Sequence, residues 1–137
     1  MAEFLKQYEI FLRKAKVDLK AAQCLFENFE TGEAELDLEI ICFHLQQSAE
    51  KFLKAILSFY EIDFPKVHDL ETLIKLIEIH HIPIQIDRKI LVDLTDFAVE
   101  GRYSIILDDI GDTGQYFKTI EQMRVDIINL LANPNKI

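Results

Sequence analysis

Only two cysteines occur in the 137 residues, Cys24 and Cys42, and they do not form a Cys-x-x-Cys pair. That excludes a disulfide framework. Each sits in an apolar helical stretch, so both are expected to be buried, reduced thiols of a cytoplasmic protein. There is no basic amino-terminal leader with an apolar core and cleavage site. No uncharged apolar run approaches the roughly 18 residues of a membrane span, so neither export nor membrane insertion is expected. Glycine-rich phosphate loops, Gly-x-Ser-x-Gly and recognisable Cys/His pairs are also missing, and no cofactor is expected. Basic residues are in deficit. Fifteen Lys and Arg against twenty-four Asp and Glu give a formal charge of −9, which opposes nonspecific attraction to a polyanion, so any nucleic acid contact must be local.

Half of the residues are hydrophobic, as in a globular chain, and the length suits one domain over residues 1–137, burying about two thirds of its unfolded surface. The run from Cys42 to Tyr60 holds neither Gly nor Pro, which favours one uninterrupted helix. At about 100° per residue, Leu38, Ile41, Leu45, Ala49, Phe52, Ile56 and Phe59 share one side, and Leu53, Leu57 and Tyr60 widen it. Such a helix belongs at the centre of a bundle.

Four further helices follow from the same periodicity. The first spans residues 2 to about 29, with Phe4, Tyr8, Phe11, Leu12, Ala15, Leu19, Ala22 and Phe26 inward. Thr31-Gly32 breaks it, and the acidic residues 33–39 lead into the central helix, which ends near Glu61. The third starts near His68-Asp69, Asp69 serving as its cap, with Leu70, Leu73, Ile74 and Ile77 inward. It stops before Ile82-Pro83. Asp87 caps a fourth, carrying Ile90, Leu91, Leu94, Phe97 and Ala98 as far as Gly101. Residues 105–114 read as a loop, Asp112 caps the last helix, and Phe117, Ile120, Met123, Ile127, Ile128 and Leu131 form its inner face. The fold class is all-α.

Two clusters that invite a metal fail on spacing. Counting from Asp108 as a calcium loop puts Ile110 at the third position and Thr113 where the turn glycine belongs. His80 and His81 point about 100° apart on a helix and gain no third ligand; a helix carboxyl end accounts for them. No metal site is expected.

The thin polar strip of the central helix is more informative. His44, Gln47, Lys51 and Lys54 lie within about 80° of one another. They form either a solvated face or an anion-facing strip suited to a phosphate or nucleobase. The first helix is equally lopsided: Lys6, Arg13, Lys14, Lys16 and Lys20 load it, while residues 27–39 hold six acids and no Lys or Arg. Again a solvated face and a binding surface are both open.

The order Phe43-His44-x-Gln46-Gln47-x-Ala49-Glu50-Lys51, followed by His68-Asp69-Leu70 and Arg102-Tyr103, resembles the HEPN family (higher eukaryotes and prokaryotes nucleotide-binding domain). The resemblance extends from Val17-Asp18-Leu19-Lys20-Ala21-Ala22 to the last helix. It implies a five-helix, up-and-down antiparallel bundle of HEPN type. It also implies a homodimer that acts as one half of a toxin–antitoxin-like pair with a minimal nucleotidyltransferase. The site it implies for a nucleotide or RNA comprises His44, Gln47, Lys51, Lys54, His68, Asp69, Arg102 and Tyr103, with Arg102 gripping a phosphate.

Many members of that family are metal-independent ribonucleases with an Arg followed after four to six residues by a His. Here Leu107, Asp108 and Asp109 stand at those positions after Arg102, and Arg13, Arg88 and Arg124 lack such a His. The cleavage motif is absent, as is the tyrosine that follows it in some family toxins. No residue is therefore assigned as catalytic. A divergent ribonuclease using His44 or His68, and a purely structural dimerisation module, stand as alternatives to a binding module.

Overall fold

In the computed structural model, the five apolar-periodic stretches each form an α-helix: α1 (Gln7–Thr31), α2 (Leu38–Phe59), α3 (Leu70–Ile79), α4 (Arg88–Thr95) and α5 (Ile110–Ala132). The structure describes residues 6–31, 38–95 and 110–133, and among the described residues there is no strand. The protein is all-α.

Low numbers on α1 meet high numbers on α2: Tyr8 packs on Phe59, Ser48 Oγ donates to Ala15 O, and Asp18 meets His44 and Lys51. The two long helices are therefore antiparallel. Phe26 stacks on Phe117, which pairs the end of α1 with the first half of α5. The short α3 and α4 form a second antiparallel pair: Leu70 N–H donates to Thr95 Oγ1, and Arg88 reaches Glu78. α2 touches each of the other four helices.

That position follows from composition. Ile41, Leu45, Ala49, Phe52, Leu53, Ile56 and Leu57 are all fully buried, each large side chain contributing roughly 1.5–3 kcal/mol relative to exposure. A helix covered on so many sides also takes polar residues inward. Gln46, Ser48, Glu50 and Lys54 are buried with the apolar ones, and each must find a partner within the protein.

Local signals place the helix ends. Asp69 caps α3, its Oδ1 accepting from Glu71 N–H at 3.1 Å and its Oδ2 from Thr72 Oγ1 at 2.9 Å. Asp87 Oδ1 accepts from Ile90 N–H at 3.3 Å at the start of α4. α2 and α3 end alike: Ile62 N–H donates to Leu57 O and Ile82 N–H to Ile77 O, across Glu61 (φ 56°) and His81 (φ 53°). This six-to-one closure normally has glycine in the left-handed position. His80 Nδ1 donates to Leu76 O at 2.9 Å, as expected of a histidine at a helix carboxyl end.

Three expectations change. Cys24 is exposed, because it lies on the side of α1 turned away from α2; Cys42 is buried near Thr113. Residues 110–114 are helical rather than loop, so Asp112 lies inside the first turn of α5 and not before it. Packing overrides the poor helix propensity of glycine there: Thr113 is buried 3.9 Å from Cys42 Sγ, and a Cβ at Gly114 would stand 3.6 Å from Phe26 Cζ. α1 begins at Gln7 rather than residue 2, with Lys6 N–H donating back to Glu9 Oε1 as in a capping box. Phe97, Ala98 and Gly101, expected at the end of the fourth helix, lie outside the described residues.

Candidate nucleotide-binding site

The polar strip of α2 is neither bare nor fully solvated. His44, Gln47 and Lys51 are half-buried, and Lys54 is buried. α1 passes over one end of the strip and the α2–α3 connection over the other, and each supplies one member of an ion cluster.

At the first end, Asp18 of α1 receives two groups from α2. His44 Nδ1 donates to Oδ1 at 3.3 Å, and Lys51 Nζ donates to Oδ2. At the other end, Glu50 is the centre. Lys54 Nζ donates to its Oε2 at 3.0 Å, and His68 Nδ1 donates to its Oε1 at 2.9 Å. The Lys54 ammonium also stands 5.8 Å from the centre of the Phe64 ring, a cation–π arrangement. Each lysine of the strip thus has a carboxylate of its own. An anion arriving here meets balanced charge rather than two open ammonium groups.

His68 is placed by two buried side chains one turn apart on α2. Gln46 Nε2 donates to its carbonyl oxygen at 2.9 Å, and Glu50 holds its ring. Gln47 Nε2 in turn donates to Gln46 Oε1 at 3.0 Å, fixing the orientation of that amide. The His68 side chain remains 67% exposed, whereas that of Glu50 is 5% exposed. With Nδ1 turned inward, Nε2 faces solvent.

Asp69 follows, occupied as the cap of α3. With Glu71 N–H given to Asp69 and Leu70 N–H given to Thr95 Oγ1, the first two of the four free amides of α3 are satisfied internally. Arg102 and Tyr103 lie outside the described residues. The structure brings His44 and Lys51 together at Asp18, and His68 and Lys54 together at Glu50.

Asp18, Gln46, Ser48 and Glu50 carry the arrangement and had no assigned role in the sequence reading. Glu50 was discoverable, since an acid one turn before Lys54 is the favourable orientation for a helical ion pair. Asp18 stands out as the only carboxylate between residues 10 and 26. Nothing in the spacing shows that it faces α2.

A family model described as HEPN domain matches residues 8–127. The chain belongs to the HEPN domain family. The match covers all of α2 to α4 and most of α1 and α5, so both carboxylate clusters lie within the HEPN domain. No curated protein and no solved structure matches the chain. Membership supports a module of nucleotide- or RNA-related type. Among the described residues no helix is long and apolar enough to cross a membrane.

Proposed function

We propose that this HEPN domain is a nucleotide- or RNA-binding module, a single domain acting as a cytoplasmic homodimer and as the partner of a minimal nucleotidyltransferase in a toxin–antitoxin-like pair. The observation that carries the binding half is the treatment of His68. Removing a carboxylate and an amide from water costs several kcal/mol unless they are well paired. Here Glu50 and Gln46 are both buried, and both serve one exposed residue. An exposed imidazole adds little to the core. Holding its ring and its backbone in one geometry makes sense for a group that meets a ligand. Family membership supplies the ligand class, and His44, Gln47, Lys51, Lys54, Asp69, Arg102 and Tyr103 complete the proposed site.

The test is equilibrium binding of labelled nucleotides and a short RNA, in EDTA, to the wild type and His68→Ala. The expected result is saturable binding that weakens about tenfold, or ~1.4 kcal/mol, in the variant, with an unchanged melting curve. Absence of any saturable binding defeats the reading. The nucleotidyltransferase half is tested separately, by co-purification with the product of a neighbouring gene.

The Glu50–His68 pair also favours a second reading, a divergent ribonuclease. A carboxylate on Nδ1 fixes the tautomer that leaves Nε2 able to accept a proton. In such a reaction Nε2 takes the proton of the RNA 2′-hydroxyl while that oxygen attacks phosphorus and the P–O5′ bond breaks. The departing 5′-oxygen takes a proton from water and a 2′,3′-cyclic phosphate remains, with Arg102 offsetting the charge that develops. Metal-free RNA cleavage by the wild type, lost in His68→Ala, would establish it; intact RNA removes it.

A further inference from the structure

The cations that are free in this protein are not the ones on α2. Lys51 and Lys54 are each tied to a carboxylate. Arg13, Lys14, Lys16 and Lys20 of α1 are all exposed, and among the described residues no carboxylate pairs with any of them.

Their spacing makes a row. Arg13, Lys16 and Lys20 stand at i, i+3 and i+7, within about 60° on the helix, and Lys6 extends the line one heptad earlier. From Lys6 to Lys20 the row covers about 21 Å at 1.5 Å per residue. The carboxylates nearby are already engaged. Asp18 is held by His44 and Lys51, and Glu9 accepts from Lys6 N–H. Beside the row, α1 and α5 enclose a shallow groove of about 250 Å³, lined by Lys16, Leu19, Lys20, Gln23, Glu121 and Arg124. Arg124 neutralises Glu121 there.

We propose that this outer face of α1 is a contact surface for the sugar–phosphate backbone of an RNA strand. The proposal rests on the RNA-binding reading above and sharpens it: the ligand is a strand, not a mononucleotide. A line of unpaired cations fits a ligand whose charges are themselves in line. The net charge of −9 confines a polyanion to this face, because the rest of the molecule repels it. Among the described side chains of α1, the aromatic rings are engaged with other rings of the protein: Tyr8 on Phe59, Phe11 on Phe64 and Phe26 on Phe117. Among the described residues the face therefore presents no base-stacking group and no aromatic wedge of the kind that favours a bilayer. It reads phosphates without regard to sequence.

The experiment is fluorescence anisotropy with a labelled 12-nucleotide single-stranded RNA and a labelled mononucleotide, over a series of salt concentrations. The proteins are wild type, Arg13→Glu/Lys20→Glu, and Lys89→Glu/Lys118→Glu as a control with the same change of charge. The α1 variant should bind the 12-mer at least tenfold more weakly. Its log-affinity against log-salt slope should be shallower by about 1.4, at about 0.7 per lost phosphate contact. Its mononucleotide affinity should be unchanged, and the control should match the wild type for both ligands. If wild type binds both ligands and the α1 variant is unaffected, or weakened no more than the control, the α1 proposal is overturned while the RNA-binding reading stands. If wild type binds neither ligand, both fall together. A polyglutamate of matched charge that displaces the 12-mer equally well through Arg13 and Lys20 overturns it in favour of an acidic protein partner.

Discussion

The clusters at Asp18 and Glu50 have the same parts, one carboxylate holding one lysine and one histidine, and opposite distributions of burial. At Asp18 the three side chains are all partly covered, His44 being 28% exposed. The cluster joins two helices across their packing interface. At Glu50 the carboxylate and lysine are buried and the histidine stands in solvent. The first arrangement fastens α1 to α2; the second presents an imidazole. The same chemical groups thus serve cohesion in one place and presentation in the other, and the location of the histidine decides which.

Removing the carboxylates is the strongest way to test that difference. Glu50→Ala leaves Lys54 buried without its partner, and the expected loss of stability is about 3–5 kcal/mol in urea unfolding. Asp18→Ala should lose about 2 kcal/mol, because Lys51 and His44 can turn to water. Equal losses would break the comparison. The histidines separate the two clusters further. His44→Ala should lower stability by about 1 kcal/mol, the worth of a partly buried hydrogen bond to a carboxylate. His68→Ala should change it by less than about 0.5 kcal/mol, because loss of the exposed ring lets water take its place on Glu50 Oε1 and Lys54 stays paired, while still reducing ligand affinity. A loss at His68 as large as that at His44 would mean that Glu50 holds the connection together rather than presenting a side chain.

Much of this fold is legible in the sequence because helical periodicity reports burial directly. The inward residues of α3 and most of those of α2 and α5 were identified by spacing alone, and the Asp69 and Asp87 caps by residue type. On α5, however, Leu130 is buried and Ile128 is not. The start of α5 was not legible: Gly111 and Gly114 suggested a loop, and contacts with Cys42 and Phe26 from helices far away in the chain decided otherwise. The site was half legible for a related reason. Spacing gives the angular position of His44, Gln47, Lys51 and Lys54 on α2, but not what lies opposite. Asp18 meets the strip only because of the register between α1 and α2, which pairwise packing sets. The neutralisation of Lys51 was therefore hidden, unlike the Glu50–Lys54 pair within α2, and so was the contrast with the unpaired cations on α1.

The central placement of α2 carries a consequence for the order of assembly. α1 and α2 are neighbours in the chain, so their pairing closes a short loop, and α3 follows within about ten residues of the end of α2. Docking of α5 on α2 and α1 instead brings together segments far apart in the chain, 71 residues for Cys42 and Thr113 and more for Phe26 and Phe117, with a larger loss of chain entropy. The α1–α2 hairpin should form the folding nucleus, with α5 closing last. Ala49→Gly should then act chiefly by slowing refolding, and Ile127→Val chiefly by speeding unfolding.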